Sequence, residues 1–108
     1  MDQLSVVLAR FPFTSQTDYK IRPALIISNS RFNKAHAFFW VCPITSKSSL
    51  REYELEIGAE EFNGELKTRS YIRTDTIASM EKELFLKEIG KITADLFEKL
   101  KKEIVKNL

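Results

Sequence analysis

Two apolar runs, residues 24–27 and 38–42, dominate the first half of the chain, and each has a proline beside a small polar or charged cluster. Arg22-Pro23 opens the first run, and Pro43-Ile44-Thr45-Ser46 closes the second. Both runs are rich in Ile, Val, Phe and Trp, with Asn, Ser and Lys between them. That pattern predicts two strands joined by a polar loop, with a short helical turn around residues 31–34. Antiparallel pairing sets the start of the first run beside the end of the second, so Arg22 comes near Thr45 and Ser46 at one rim of a sheet. Residues 5–13 (SVVLARFPF) predict a further strand, and Pro12 near its end points to an edge or a terminus. The polar stretch 14–21 reads as a loop that leads into Arg22 and overhangs the same rim.

Residues 47–50 form a polar turn. In residues 52–57, Tyr53, Leu55 and Ile57 alternate with Glu52, Glu54 and Glu56, the mark of a half-buried strand with a solvated acidic face. Residues 58–67 read as a loop with a helical turn near 59–62. Residues 68–80 read as a strand bent near Asp75, and residues 84–92 as a short strand interrupted by charge. The period then changes. Leu96, Leu100 and Ile104 recur every four residues, with Phe97 and Val105 widening the stripe. Thr93 stands as N-cap, Asp95 lies in the first turn, and Lys101, Lys102 and Lys106 crowd the far end of a helix. Glu98 and Lys102 are spaced as an i,i+4 pair. The fold class is therefore mainly β with a C-terminal α-helix: a small, strongly curved sheet or barrel with the helix packed on it.

With 108 residues the chain is expected to form one domain, and 44% apolar with 30% charged residues places it among globular proteins. No apolar run approaches the ~20 residues of a membrane helix. The N-terminus lacks the basic region of a signal peptide, so a cytoplasmic protein is expected. One cysteine cannot form an internal disulfide. The net charge of +2 is small, but its distribution is informative. Residues 1–50 hold six basic against two acidic side chains, a net of +4, and residues 51–108 hold 11 against 13, a net of −2. The basic excess falls on the segments that carry Arg22 and Thr45, as a local anion site requires.

Candidate chemistry narrows by elimination. Cys42 lacks a CxxC partner and sits in an aromatic run, which makes it a buried structural thiol. His36 is the only histidine and falls in a surface loop. Gly-rich phosphate loops, H-E-x-x-H and G-x-S-x-G are absent, so neither a metal nor a cofactor is expected. What remains is arginine, hydroxyls and a carboxylate. Arg22 offers a planar fork that matches phosphate oxygens beside the hydroxyls of Thr45 and Ser46. Arg73 and Asp75, two apart in a strand, share one face.

The order FPFT, IRPALIISNSRFN, VCPITS, YIRTDTIASM, IGKI and a C-terminal helix resembles the MazF/PemK/Kid family of toxin endoribonucleases over nearly the whole chain. That resemblance implies a compact SH3-like barrel and a homodimer. It also implies a cognate antitoxin whose flexible C-terminal segment masks the RNA site, with DNA binding of the complex made through that antitoxin. Members cut single-stranded RNA at short motifs without a metal. On the matching positions, Arg22 and Thr45 are implicated in catalysis, Ser46 contacts RNA, and Arg73 with Asp75 resembles the Arg-x-Asp that the Kid branch uses as acid and base. Phe13 and Tyr19 are candidate stacking surfaces for unpaired bases, with Thr14, Lys20 and Lys47 as neighbouring RNA contacts. The family's usual Gly-Asp ahead of the first strand is replaced here by Leu4-Ser5.

The reaction so implied needs no nucleophile from the protein. The ribose 2′-OH attacks the adjacent phosphorus and leaves a 2′,3′-cyclic phosphate and a 5′-OH. Asp75 would act as base, Arg73 would supply charge, and Arg22 and Thr45 would grip the phosphate. Two other readings stay open: a CcdB-like toxin that binds DNA gyrase without catalysis, and a nuclease-dead homologue that binds its antitoxin.

Overall fold

The computed structural model describes residues 1–12, 19–49 and 51–108. Seven antiparallel strands form one sheet: β1 (Ser5–Pro12), β2 (Tyr19–Ile26), β3 (Phe38–Thr45), β4 (Glu54–Glu56), β5 (Tyr71–Arg73), β6 (Ala78–Glu81) and β7 (Phe85–Lys91). Their order is β4-β5-β3-β2-β1-β7, with β6 continuing along β3 beyond β5. Helix α1 (Ser30–Ala35) links β2 to β3, and α2 (Ala94–Lys106) ends the chain.

The expected strands are present, with shifted boundaries. β2 begins at Tyr19 rather than after a loop through residue 21. The acidic strand is shortened to Glu54–Glu56 because Arg51–Tyr53 forms a 3₁₀ turn. The long strand over 68–80 is broken into β5 and β6 by a bend at residues 74–77, where Asp75 had marked the kink.

Strand alternation gives the sheet two apolar faces. On one, Val6, Leu25, Cys42, Ile44 and Ile72 pack under Leu96, Phe97 and Leu100 of α2. On the other, Val7, Ala9, Ala24, Ile26, Phe39, Val41 and Met80 fill the inside of the curled sheet. Within α1, Asn33 is buried but satisfied. It is hydrogen-bonded to the Ser28 hydroxyl and donates to the Ser28 carbonyl at 3.0 Å, while the Trp40 amide donates to the Ser28 hydroxyl at 3.0 Å. That network fixes the β2–β3 connection.

Helix α2 starts where its sequence places the cap: Thr93 Oγ1 accepts the Leu96 amide at 3.2 Å. Replacing Thr93 by alanine leaves that donor unpaired in the protein and should cost about 1 kcal/mol, read as a lowered urea midpoint at unchanged m. At the other end Asn107 Nδ2 donates to the Thr74 carbonyl at 3.0 Å, tying the helix to the β5–β6 bend. The expected Glu98–Lys102 pair is not formed. Glu98 instead meets Lys101 at 2.7 Å, one turn away at i,i+3. No helix among the described residues is long and apolar enough to cross a membrane.

Candidate functional site

One proline limits the sheet at the site. β2 and β3 pair only from Ala24↔Pro43 to Ile26↔Val41, although β2 reaches back to Tyr19 and β3 runs on to Thr45. Pro23, whose nitrogen faces β3, carries no N–H to donate there, so the ladder ends at Ala24↔Pro43. The same register carried two residues further sets Arg22 across the gap from Thr45. Alternation puts both side chains on the face of Ala24, Pro43 and Val41, at the mouth of the inner core, and both are partly exposed. Arg22 has no ion-pair partner among the described residues.

The Thr45 hydroxyl organises its own turn, accepting the Lys47 amide at 3.2 Å and donating to the Lys47 carbonyl at 3.4 Å. The Glu54 carboxylate accepts from the Ser48 hydroxyl at 2.7 Å and the Ser49 amide at 3.0 Å, which holds the next stretch of that loop. Ser46 and Lys47 are left exposed at the rim.

Across β3 from this gap lies β5. Tyr71 pairs with Thr45, and Arg73 pairs with Glu54 of β4, so Tyr71 and Arg73 extend the face that carries Arg22 and Thr45. Arg73 makes a two-point bond to Asp75, Nε to Oδ1 at 3.1 Å and Nη2 to Oδ2 at 2.8 Å, with each side chain about a quarter exposed (25% and 26%). The hydrogen bonds from Arg73 hold the Asp75 carboxyl below its ordinary value against the opposing effect of burial, and the Thr76 hydroxyl adds to the lowering. The Asp75 hydrogen bond and the charges of Asp75 and Glu54 raise Arg73 above its own. Burial, with a contribution from the Asp75 charge, pushes the Cys42 thiol up to about 12, so Cys42 is an inert core residue.

The remaining expected contacts divide. Lys20 alternates onto the Arg22 face. Tyr19 does not: it lies on the opposite face of the β1–β2 ribbon with Ile21 and Pro23. Phe13 and Thr14 lie outside the described residues. The aromatic side chain that does stand beside Thr45 is Tyr71, which the sequence reading passed over. The i,i+2 spacing of Tyr71 and Arg73 already put them on one face, and that signal was sufficient to find it.

At the Leu4-Ser5 pair the chain makes a tight N-terminal turn into β1. Leu4 takes φ +81°, a backbone that favours glycine and costs another residue about 1–2 kcal/mol. It is held there because its amide donates to the Ile26 carbonyl at 3.1 Å, its carbonyl accepts from Ile92 at 3.0 Å, and its side chain packs on the α2 core. Ser5 is fully buried and donates to Glu88 Oε1 at 2.7 Å. No group of three or more His, Cys, Asp or Glu side chains placed to hold a metal occurs among the described residues. His36 is exposed, caps α1 through a 2.9 Å contact of Nδ1 with the Phe32 carbonyl, and stacks on the Phe32 ring.

Comparison with known proteins places this geometry. No curated protein matches the chain by sequence. Among solved structures, a MazE–MazF complex from Deinococcus radiodurans is similar at 20% identity and a TM-score of 0.81, covering 99% of this chain and 94% of that one. The Mycobacterium tuberculosis toxin MazF-mt6 is similar at 20% identity and TM-score 0.75, over 94% and 93% of the two chains. A mycobacterial endoribonuclease in complex with its cognate antitoxin is similar at 16% identity and TM-score 0.79, over 98% and 92%. At such identities these structures establish the fold, and the family comes from the sequence itself: residues 2–108 match the model of the PemK-like, MazF-like toxins of type II toxin–antitoxin systems, and the chain belongs to that family.

Proposed function

We propose that the protein is an endoribonuclease that cuts single-stranded RNA through its own 2′-OH, giving a 2′,3′-cyclic phosphate and a 5′-OH. The observation that carries this reading is Arg22, without an ion-pair partner among the described residues, set by the β2–β3 register opposite Thr45 where the sheet ladder stops. A guanidinium and a hydroxyl on opposite sides of a strand-wide gap fit the non-bridging oxygens of one phosphate, and charge placed there stabilises the phosphorane-like transition state. Tyr71, next to Thr45 on the same face, gives an unpaired base a surface to stack on. Asp75 accepts the 2′-OH proton as the new O–P bond forms. The P–O5′ bond then breaks, and the 5′-oxygen takes a proton from water at this open rim. Arg73 acts as charge and orienting donor rather than as acid, because Asp75 strengthens its hold on its own proton. The partners of this reading are single-stranded RNA, a cognate antitoxin and a second copy of the chain. The exposed apolar side chains Ile77, Val105 and Leu108 are offered to that second copy.

The Arg73–Asp75 pair fixes the expected pH dependence. The folded carboxyl titrates below its unfolded value of about 3.9, so it stays ionised as pH falls through the ordinary carboxylate range. The pair's contribution to stability is therefore complete above the unfolded value and lost only as pH falls through the lower, folded one. Cleavage at saturating RNA should be flat between about pH 5 and 8 after correction for the intrinsic ionisation of the 2′-OH. An acid limb near pH 6–7 would bring another group into the reaction and remove Asp75 as the base.

Incubation of the purified protein with a mixed-sequence RNA in EDTA tests the whole reading. Fragments with 2′,3′-cyclic phosphate ends, and no cutting of the matching DNA, are expected. Uncut RNA would favour a toxin that acts by binding. For that alternative the fold does hold one feature, an apolar helix end with Val105 64% and Leu108 96% exposed.

A further inference from the structure

Asp75 sits where the sheet ladder gives it no support. β5 ends at Arg73 and β6 begins at Ala78, so residues 74–77 lie outside the paired strands. Two hydrogen bonds of the Thr74 backbone anchor that bend. Its amide donates to the Tyr53 carbonyl at 2.8 Å, and its carbonyl accepts from Asn107 Nδ2 at 3.0 Å. Thr74 itself is buried, and the chain is exposed from Asp75 to Ile77.

The carbonyl of Thr74 and the amide of Asp75 belong to one planar peptide unit. Asn107 therefore holds one side of a plane whose other side carries Asp75. The Asp75 N–H in turn bonds to its own carboxylate, so the setting of this plane reaches the carboxyl oxygens directly. Packing offers no substitute for the tether. A cleft of about 550 Å³ is lined by both the bend and the last turn of α2, with Tyr53, Ile77, Ile104 and Lys106 on its walls. A carbonyl released by Asn107 would turn toward water in that cleft and take the Asp75 backbone with it.

We infer that Asn107 is a positioning residue for the Asp75 carboxylate: the last turn of α2, through the Thr74 carbonyl, aims the group that takes the 2′-OH proton. The chemistry of this inference rests on the nuclease reading, whereas the positioning does not. Asn107 acts through one peptide unit and does not itself meet the reacting atoms. A group displaced by an ångström can cost about 10²-fold in rate. A loosened one is out of line only part of the time, so a smaller loss is expected. The side chain can be removed without unmaking the helix end, because the Asn107 backbone N–H keeps its bonds to the Ile104 and Val105 carbonyls.

The test compares Asn107→Ala, Asn107→Gln and Thr93→Ala in the whole protein. Single-turnover cleavage of a short labelled RNA should slow about tenfold in Asn107→Ala, with the half-saturating concentration unchanged within about twofold. Asn107→Gln, which keeps the amide donor, should recover part of that loss. Thr93→Ala, which loosens α2 at its other end, should cut within about twofold of the parent. A second readout needs no RNA: the carboxyl-carbon resonance of Asp75 followed against pH. Around that group stand Arg73 of β5, Glu54 of β4, Cys42 of β3, Tyr53 of the 3₁₀ turn and Lys106 of α2. Arg73 keeps the titration low in the parent, and Asn107→Ala should raise its midpoint toward the ordinary aspartate range as that contact loosens. A more basic carboxylate that cuts more slowly is the mark of lost aim. An unchanged rate or midpoint, faster cutting in step with a raised midpoint, or a loss carried by the half-saturating concentration would each overturn the inference. So would no recovery with glutamine, or equal slowing by Thr93→Ala. A parent that cuts no RNA would remove the nuclease reading, and the titration would still decide whether Asn107 positions Asp75.

Discussion

Replacing Arg22 by alanine should slow RNA cleavage about 10²–10³-fold while leaving the fold intact, the usual loss when one preorganised donor to a developing oxyanion is removed. The expectation follows from a difference between the two arginines of the site. Arg73 is already neutralised by Asp75 through two hydrogen bonds, whereas Arg22 has no such partner among the described residues and keeps its charge for a ligand. Arg22→Lys should recover only part of the loss, because an ammonium restores the charge without the two-point fork. Single-turnover cleavage of a short labelled RNA measures both variants, with circular dichroism to show that they fold. An Arg22→Ala protein that cuts as fast as the parent removes this residue from the chemistry.

Leu100→Ala should have the largest effect on stability. Leu100 is fully buried where α2 meets the sheet, in the cluster that also contains Cys42 and Ile44, the residues just ahead of Thr45. Truncation there removes apolar contacts and leaves a cavity that a sheet-backed site cannot easily collapse, a loss of about 2–5 kcal/mol. For a domain of this size each kcal/mol lowers the melting temperature by roughly 4–8 °C. Urea or thermal unfolding reads the change directly. A loss below about 1 kcal/mol would mean that α2 contributes little to the fold.

How far the sequence disclosed the site can be argued from single residues. Arg22 and Thr45 were legible because two apolar runs with turn residues between them have one natural pairing, and that pairing puts the first end beside the last. The helix was legible to its cap, since Thr93 and the four-residue spacing of Leu96, Leu100 and Ile104 are both local signals. Tyr19 was misplaced for a reason equally local. The polar letters of residues 14–21 hide the true start of β2, and a strand that begins at Tyr19 turns it away from Arg22 by simple alternation. The bidentate grip of Arg73 on Asp75 was not legible, because two residues sharing a face can each point elsewhere. The stop in the β2–β3 ladder escaped as well. Pro23 suggests a strand end when read alone, and only its place opposite Ile44 of the neighbouring strand shows that it ends the ladder there.

That gap has a cost of its own. Inside a sheet whose other strands are paired, the segments around Arg22 and Ile44 keep a short stretch of unused strand edge, the kind of surface on which stray chains nucleate aggregates. Pro23 guards it, since a rung cannot form where no proton is available. Exchanging Pro23 for valine would give the ladder back a donor toward β3 and let it extend over the rim.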